Sequence, residues 1–173
     1  MNFMLQITAI DAQNRAEAIE ILTVTALTNA TEALAADVAL ARLAGLARND
    51  GFALLARVEG LAAGVLLAIP NRSARLNPGI FECAIAVAPT MAGLGVSKAL
   101  LIDALAQAGQ AGARFVIATL TADAADHAFA AAQSLGFQMT GLLSHGAQDF
   151  IVVSRAVAAS AAARDAAPMA IAA

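Results

Sequence analysis

The stretch Val87-Ala88-Pro89-Thr90-Met91-Ala92-Gly93-Leu94-Gly95-Val96-Ser97-Lys98-Ala99-Leu100-Leu101 decides how this chain is read. An apolar run meets a proline, a short loop carries two glycines, and a helical pattern follows. Proline cannot donate to a strand ladder, so Pro89 closes the strand before it. The first amides of the next helix have no partners inside it, and the helix dipole draws anions to that end. Glycine brings backbone amides close to a phosphate because no Cβ stands in the way. A pyrophosphate suits such a nest of amides. Two glycines alone fit a plain packed turn better, so the neighbouring elements must decide.

Upstream, Ile80 to Ala88 reads as a strand, preceded by a loop from Pro70 to Gly79 that carries Arg72 and Arg75. Before it, Phe52 to Val58 and Leu61 to Ile69 are two apolar runs split by Glu59-Gly60, the spacing of a β-hairpin. The chain opens with the alternating strand Leu5 to Ile10, then Asp11 as a helix N-cap. Ala16, Ile19, Ile21 and Leu22 give that helix an apolar face, and a second helix is expected over Thr31 to Ala47. Downstream of the loop, the helix runs to about Gly109 and a buried strand covers Arg114 to Leu120. Asp123 or Asp126 would cap a further helix through Leu135, with Gly136 as its stop. Strands Phe137 to Leu143 and Asp149 to Ala156 close the pattern. The order β-α-α-β-β-β-α-β-α-β-β predicts an α/β fold of the α+β kind, a mixed sheet with helices on both faces. One domain over residues 1–157 is expected, with an alanine-rich tail over 158–173 that frays or is disordered.

Composition narrows the function. Of 173 residues, 60 % are hydrophobic and the mean hydropathy is +0.73, which raises the question of a membrane protein. The charge-free stretch Ala128 to Gln148 is broken by Gln133, Ser134, Gly136, Gln138, Thr140, Gly141, Ser144 and Gly146, so no spanning helix is expected. Alanine supplies most of the hydropathy. Met1-Asn2-Phe3-Met4 shows no signal-peptide pattern. A single cysteine, Cys83, leaves no disulfide framework and no cysteine-rich metal site, so a cytoplasmic protein without metal is expected. A net charge of −3 with no basic stripe argues against a nucleic-acid partner. Only 13 % of residues are charged, which favours an apolar surface covered by a homodimer partner.

With its flanks in place, the opening stretch resembles the acetyl-CoA-binding motif of the GNAT superfamily of N-acetyltransferases. There a strand ending in Val-x-Pro leads into an Arg/Gln-x-x-Gly-x-Gly/Ala loop and helix. Gly95 matches the first required glycine, and Gly93 a common additional one. Ser134-Leu135-Gly136-Phe137 resembles the family's second signature, and Asp149-Phe150-Ile151-Val152-Val153-Ser154-Arg155 its last strand. The resemblance covers about Gln6 to Val157. It implies an acyl-CoA-dependent N-acyltransferase, with acetyl-CoA as donor and a small primary amine or a protein amino group as acceptor. It further implies that Ala86 and Val87 hold the pantetheine arm and that Gly93, Leu94, Gly95, Val96, Ser97 and Lys98 hold the pyrophosphate. Arg72, Arg75 and His145, the last in the turn Ser144-His145-Gly146, fall near the implied acceptor side.

The matches are incomplete. Ala92 stands at the Arg/Gln position, Ser97 at the final Gly/Ala position and Ala125 at a cofactor-contacting asparagine. The position of the tyrosine that often protonates the leaving thiolate is Ala132, and the chain has no tyrosine. Glu82, on the strand that would pass the thioester, is the candidate base, though a solvent-facing charge is the plainer account of it. Cys83 alternates with Phe81, Ile85 and Val87 and reads as core packing. A catalytically silent fold member that binds acyl-CoA or a protein partner is the alternative. A dinucleotide-binding unit on Gly93-Leu94-Gly95 is disfavoured, because Lys98 occupies its third glycine position.

Overall fold

A computed structural model of the chain describes residues 3–26, 50–70, 79–121, 125–145 and 148–157. The helix expected over Thr31 to Ala47, the residues Arg72, Arg75 and Asp123, and the tail over 158–173 lie outside them. Seven strands form one mixed sheet: β1 (Leu5–Ala9), β2 (Phe52–Val58), β3 (Leu61–Pro70), β4 (Ile80–Val87), β5 (Phe115–Thr121), β6 (Gln138–His145) and β7 (Gln148–Ala156). Three helices are described, α1 (Arg15–Ala26), α2 (Val96–Gln110) and α3 (Ala125–Ser134). The strand order is β1-β2-β3-β4-β5-β7-β6. Only β4 and β5 pair in parallel, and the other neighbours are antiparallel. A parallel pair needs a crossover, and α2 supplies it.

The sheet separates two cores. On one side Leu54, Leu66, Phe81, Cys83, Val116, Ala118 and Val153 pack with Val96, Leu100, Leu101 and Ala104 of α2 and Ala132 of α3. On the other, Leu55, Val65 and Leu67 meet Ala18, Ile21 and Leu22 of α1. Alternation along β4 divides its side chains accordingly: Ile85 and Val87 join the α2 side, Ala86 the α1 side. Leu100 and Leu101 are fully buried, and truncating either to alanine costs about 2–5 kcal/mol on the usual scale.

The helix ends obey local chemistry. The Ala113 N–H donates to Ala108 O and the Gly112 N–H to Gly109 O, the paired bonds that close an α-helix. Phe137 and Gly136 repeat the pattern on Ala132 and Gln133, so Gly136 stops α3 as its position suggested. For α2 the stop is Gly112, three residues past the expected one. Gly109 stays helical, and a Cβ on it would lie 3.2 Å from Val157 Cγ1.

Three further sequence expectations need correction. Asp11 does not cap α1, because the helix begins at Arg15. Instead Asp11 Oδ1 accepts from the Gln13 and Asn14 amides and shapes the turn, while buried Asn14 ties that turn to Ala9 O. Asp126 falls inside α3 rather than before it. His145 is the last residue of β6, registered with Gln148, since the β6–β7 ladder runs two residues further than the apolar pattern suggests. Arg57 clamps Glu17 through two bonds of 2.9 and 3.0 Å and ties α1 to β2.

Candidate active site

The β4–β5 ladder stops part-way. Its registered pairs run from Ile80–Phe115 to Ala84–Thr119 and end there. Beyond that point β4 stays with β3, through Leu66–Ile85, Val65–Ala86 and Gly64–Val87. Meanwhile β5 stays with β7, through Leu120–Ile151 and Thr121–Phe150. The central strands therefore diverge and open a cleft in the sheet. The Ala88 N–H donates to Ala63 O at 2.9 Å, toward β3. Backbone groups alternate sides along a strand, so Ile85 and Val87 turn their N–H and C=O groups toward the cleft. No β5 residue is registered opposite either one. Backbone polar groups in such a position need partners, and an extended ligand carrying amides can provide them.

At the same end of β4 the chain makes a single 3-10 turn over Pro89–Met91 and enters α2. Gly93 and Gly95 both have φ +79°, a left-handed conformation that strains any residue with a Cβ. A Cβ at either would meet nothing within 4 Å, so the loop is open above both. The first bond of α2 is from the Ala99 N–H to Gly95 O at 3.0 Å. The Val96, Ser97 and Lys98 amides precede it and have no helical acceptor, and Gly95 offers no side-chain cap. Lys98 is exposed and Ser97 half-buried, while Val96 is buried beneath them. The result is a run of amide donors at a positive helix end, open to an anion, beside the open end of β4.

Val87 and the loop Gly93 to Lys98, the expected donor-binding residues, both lie at this end of β4. Ala86 lies on the same divergent segment, but its backbone faces β3. Glu82 sits between Ile69 and Ile117 in the still-paired part of the sheet, with an exposed side chain. It lies three positions before Ile85, about 10 Å along a strand. His145 ends β6, outside the cleft-forming segments. Cys83 is buried, and desolvation pushes its thiol up to about 12, which disfavours the thiolate a nucleophile would need. Ala132 is fully buried in the α2-side core, so the position of the absent tyrosine carries only a methyl group. The sequence did not single out Ile85. Counting back from Pro89 by strand alternation would have found it.

Among the described residues no group of three His, Cys, Asp or Glu side chains could hold a metal ion. Among them, too, no helix is long and apolar enough to cross a membrane.

A family model described as the Acetyltransferase (GNAT) family matches residues 16–137. Solved structures share the fold at low identity. A putative acetyltransferase from Salmonella typhimurium, solved with acetyl-CoA, is 19 % identical with a TM-score of 0.73, covering 91 % of this chain and 96 % of its own. A phosphinothricin acetyltransferase from Sinorhizobium meliloti, also solved with acetyl-CoA, is 24 % identical with a TM-score of 0.72, covering 94 % and 92 %. An N-acetyltransferase from Staphylococcus aureus Mu50 reaches a TM-score of 0.75 at 16 % identity, covering 90 % and 99 %. None of the curated proteins matches the chain significantly by sequence.

Proposed function

The chain belongs to the GNAT acetyltransferase family, and we propose that it moves an acetyl group from acetyl-CoA directly onto a primary amine, free or on a protein. The observation that carries this reading is the break in the β4–β5 ladder after Ala84–Thr119, beside the unpartnered amides that open α2. The Gly93 to Lys98 loop would hold the pyrophosphate, with Lys98 adding a charge. Ile85 and Val87 would bond the amides of the pantetheine arm from the cleft edge, with Ala86 between them. A backbone N–H at that edge would also polarise the thioester carbonyl and hold the oxyanion that forms on it.

In the reaction the amine nitrogen, once neutral, bonds the acetyl carbon and the C–S bond breaks. Glu82 would take the ammonium proton through water, given its strand and exposure. The departing thiolate would take its proton from water, the substrate or another side chain, since neither Ala132 nor any tyrosine can donate one. Arg72, Arg75 and His145 are our candidates for contacts to the acceptor. We place the protein in the cytoplasm on the strength of its lone cysteine, Cys83, and expect a homodimer. Outward apolar side chains on edge strand β6, Met139 at 55 % and Leu142 at 68 % exposure, favour such a pairing.

A silent acyl-CoA binder is the second reading, and buried Ala132 at the acid position favours it. Calorimetric titration with acetyl-CoA and CoA, followed by an amine screen, separates the two. Binding with acetyl transfer supports the enzyme, and binding without transfer to any amine supports the silent module. Absence of binding by folded protein would sink both.

A further inference from the structure

Gly64 lies inside β3, registered with Val87 at the open end of β4. It follows Ala63, where the β2–β3 register slips between Ala56–Gly64 and Arg57–Ala62. A glycine within a strand marks a bulge or a close approach of other atoms, and here both occur. A Cβ on Gly64 would stand 2.8 Å from Val96 Cγ1, 3.1 Å from Ala86 O and 3.3 Å from Leu100 Cδ1. Carbon atoms in contact sit about 3.5–4.0 Å apart, so the crowding at Val96 demands a displacement approaching 1 Å.

The displaced partner can be identified. Ala86 O is fixed by the β3–β4 ladder, which pairs Val65 with Ala86. Val96 is β-branched, 1 % exposed and on the first turn of α2, so its side chain has little freedom to rotate away. The strain therefore passes to the Val96 backbone, whose amide is one of the free donors at the helix end. Hydrogen bonds from such amides operate within about 2.7–3.2 Å, so a shift approaching 1 Å is enough to break the one that the Val96 amide would make.

We infer that Gly64 is a positioning residue for the donor's pyrophosphate. By carrying no side chain it lets α2 settle on β3 with its first-turn amides at the right height beside the β4 cleft. This rests on the reading that the Gly93 to Lys98 loop holds that pyrophosphate. Acceptor recognition and the cleft-facing groups of Ile85 are not involved.

The test compares two donors by titration, acetyl-CoA and S-acetylpantetheine, which lacks the pyrophosphate. Gly64→Ala is expected to weaken acetyl-CoA binding about tenfold or more, the loss of roughly one charge-assisted hydrogen bond. S-acetylpantetheine should change by less than about threefold on the same scale. In turnover, KM for acetyl-CoA should rise while kcat holds. Adding Val96→Ala removes Cγ1 and should restore acetyl-CoA affinity to within about threefold of wild type. If Gly64→Ala does not fold, the Gly64→Ala/Val96→Ala double variant carries the test, and near-wild-type affinity in it supports the inference. Wild-type acetyl-CoA affinity in folded Gly64→Ala would overturn it, as would equal losses for both donors or a folded double variant that stays weak. Wild-type protein that binds no acetyl-CoA would instead refute the functional reading, and the inference with it.

Discussion

Gly95→Val probes the loop most directly, and its two consequences are separable. The residue has φ +79° and stands at the N-cap of α2. Holding a β-branched residue in that region costs about 1–3 kcal/mol. The added Cβ brings no clash of its own, because it meets nothing within 4 Å. For a chain of 173 residues the melting temperature should fall by roughly 2–12 °C, at about 2–4 °C per kcal/mol. The protein should therefore still fold. Donor affinity should suffer more, since the isopropyl group adds bulk to the open loop that leads into the Val96, Ser97 and Lys98 amides. A hydrogen bond to a charged group contributes about 1.5–3 kcal/mol, so losing two weakens acetyl-CoA binding by about a hundredfold or more. Gly95→Ala separates strain from obstruction. It keeps most of the strain and little of the bulk, so its affinity loss should be much the smaller. Circular dichroism melts and calorimetric titration give both quantities on the same samples. A folded Gly95→Val protein with wild-type acetyl-CoA affinity would remove the loop from the donor site.

Replacing Glu82 with Gln should slow turnover most at pH values below the acceptor's pKa, where a proton must be removed, and should leave CoA affinity intact; an unaltered pH–rate profile would take Glu82 out of the mechanism. Because the chain has no tyrosine, kcat/KM should rise with pH and then stay level near pH 10, the range in which a tyrosine acid would ionise. A descending limb there would reveal a different proton donor. Cys83 carries a stability signature with a definite sign. Its thiol rises from 9.0 to about 12 on folding, so only the unfolded state ionises between these values, and stability is lost as pH climbs through that window. The loss should approach about 1.4 kcal/mol per pH unit in denaturant melts. Cys83→Ala should flatten that slope, and an unchanged slope would mean that the thiol ionises freely in the fold.

Much of the framework was legible because short-range chemistry encodes it. Glu59-Gly60 joins β2 to β3 as a two-residue turn with positive φ at both positions, as the hairpin spacing required. Gly136 stops α3, and Cys83 faces the core beside Phe81 as strand alternation demanded. The misread positions are those where two local readings compete and a distant contact decides. Both Gly109 and Gly112 can end a helix, but Gly109 is held within it, close against Val157. Gly64 read as one more residue of an apolar strand, because its neighbour Val96 lies far along the chain. The insertion of β7 between β5 and β6 is likewise invisible locally. Pairing of that kind depends on which edge is free when the last strand docks, and alternation within one strand carries no such information.

The same distinction accounts for a motif that is worn in sequence while its geometry persists. Arginine at the Ala92 position, asparagine at Ala125 and tyrosine at Ala132 would each act through a side chain, and each is alanine here. What remains is carried by the backbone. The divergence of β4 from β5 sets the cleft, and the left-handed glycines open the loop. The free amides follow from helix geometry alone. Side-chain losses remove charge and proton transfer while leaving those donors in place. A thiolate departs from a thioester far more readily than an alkoxide departs from an ester, so the donor binding and carbonyl polarisation proposed above would not require the acid. On the proposed reading the donor site depends most on Gly93, Gly95 and Gly64, none of which carries a functional group.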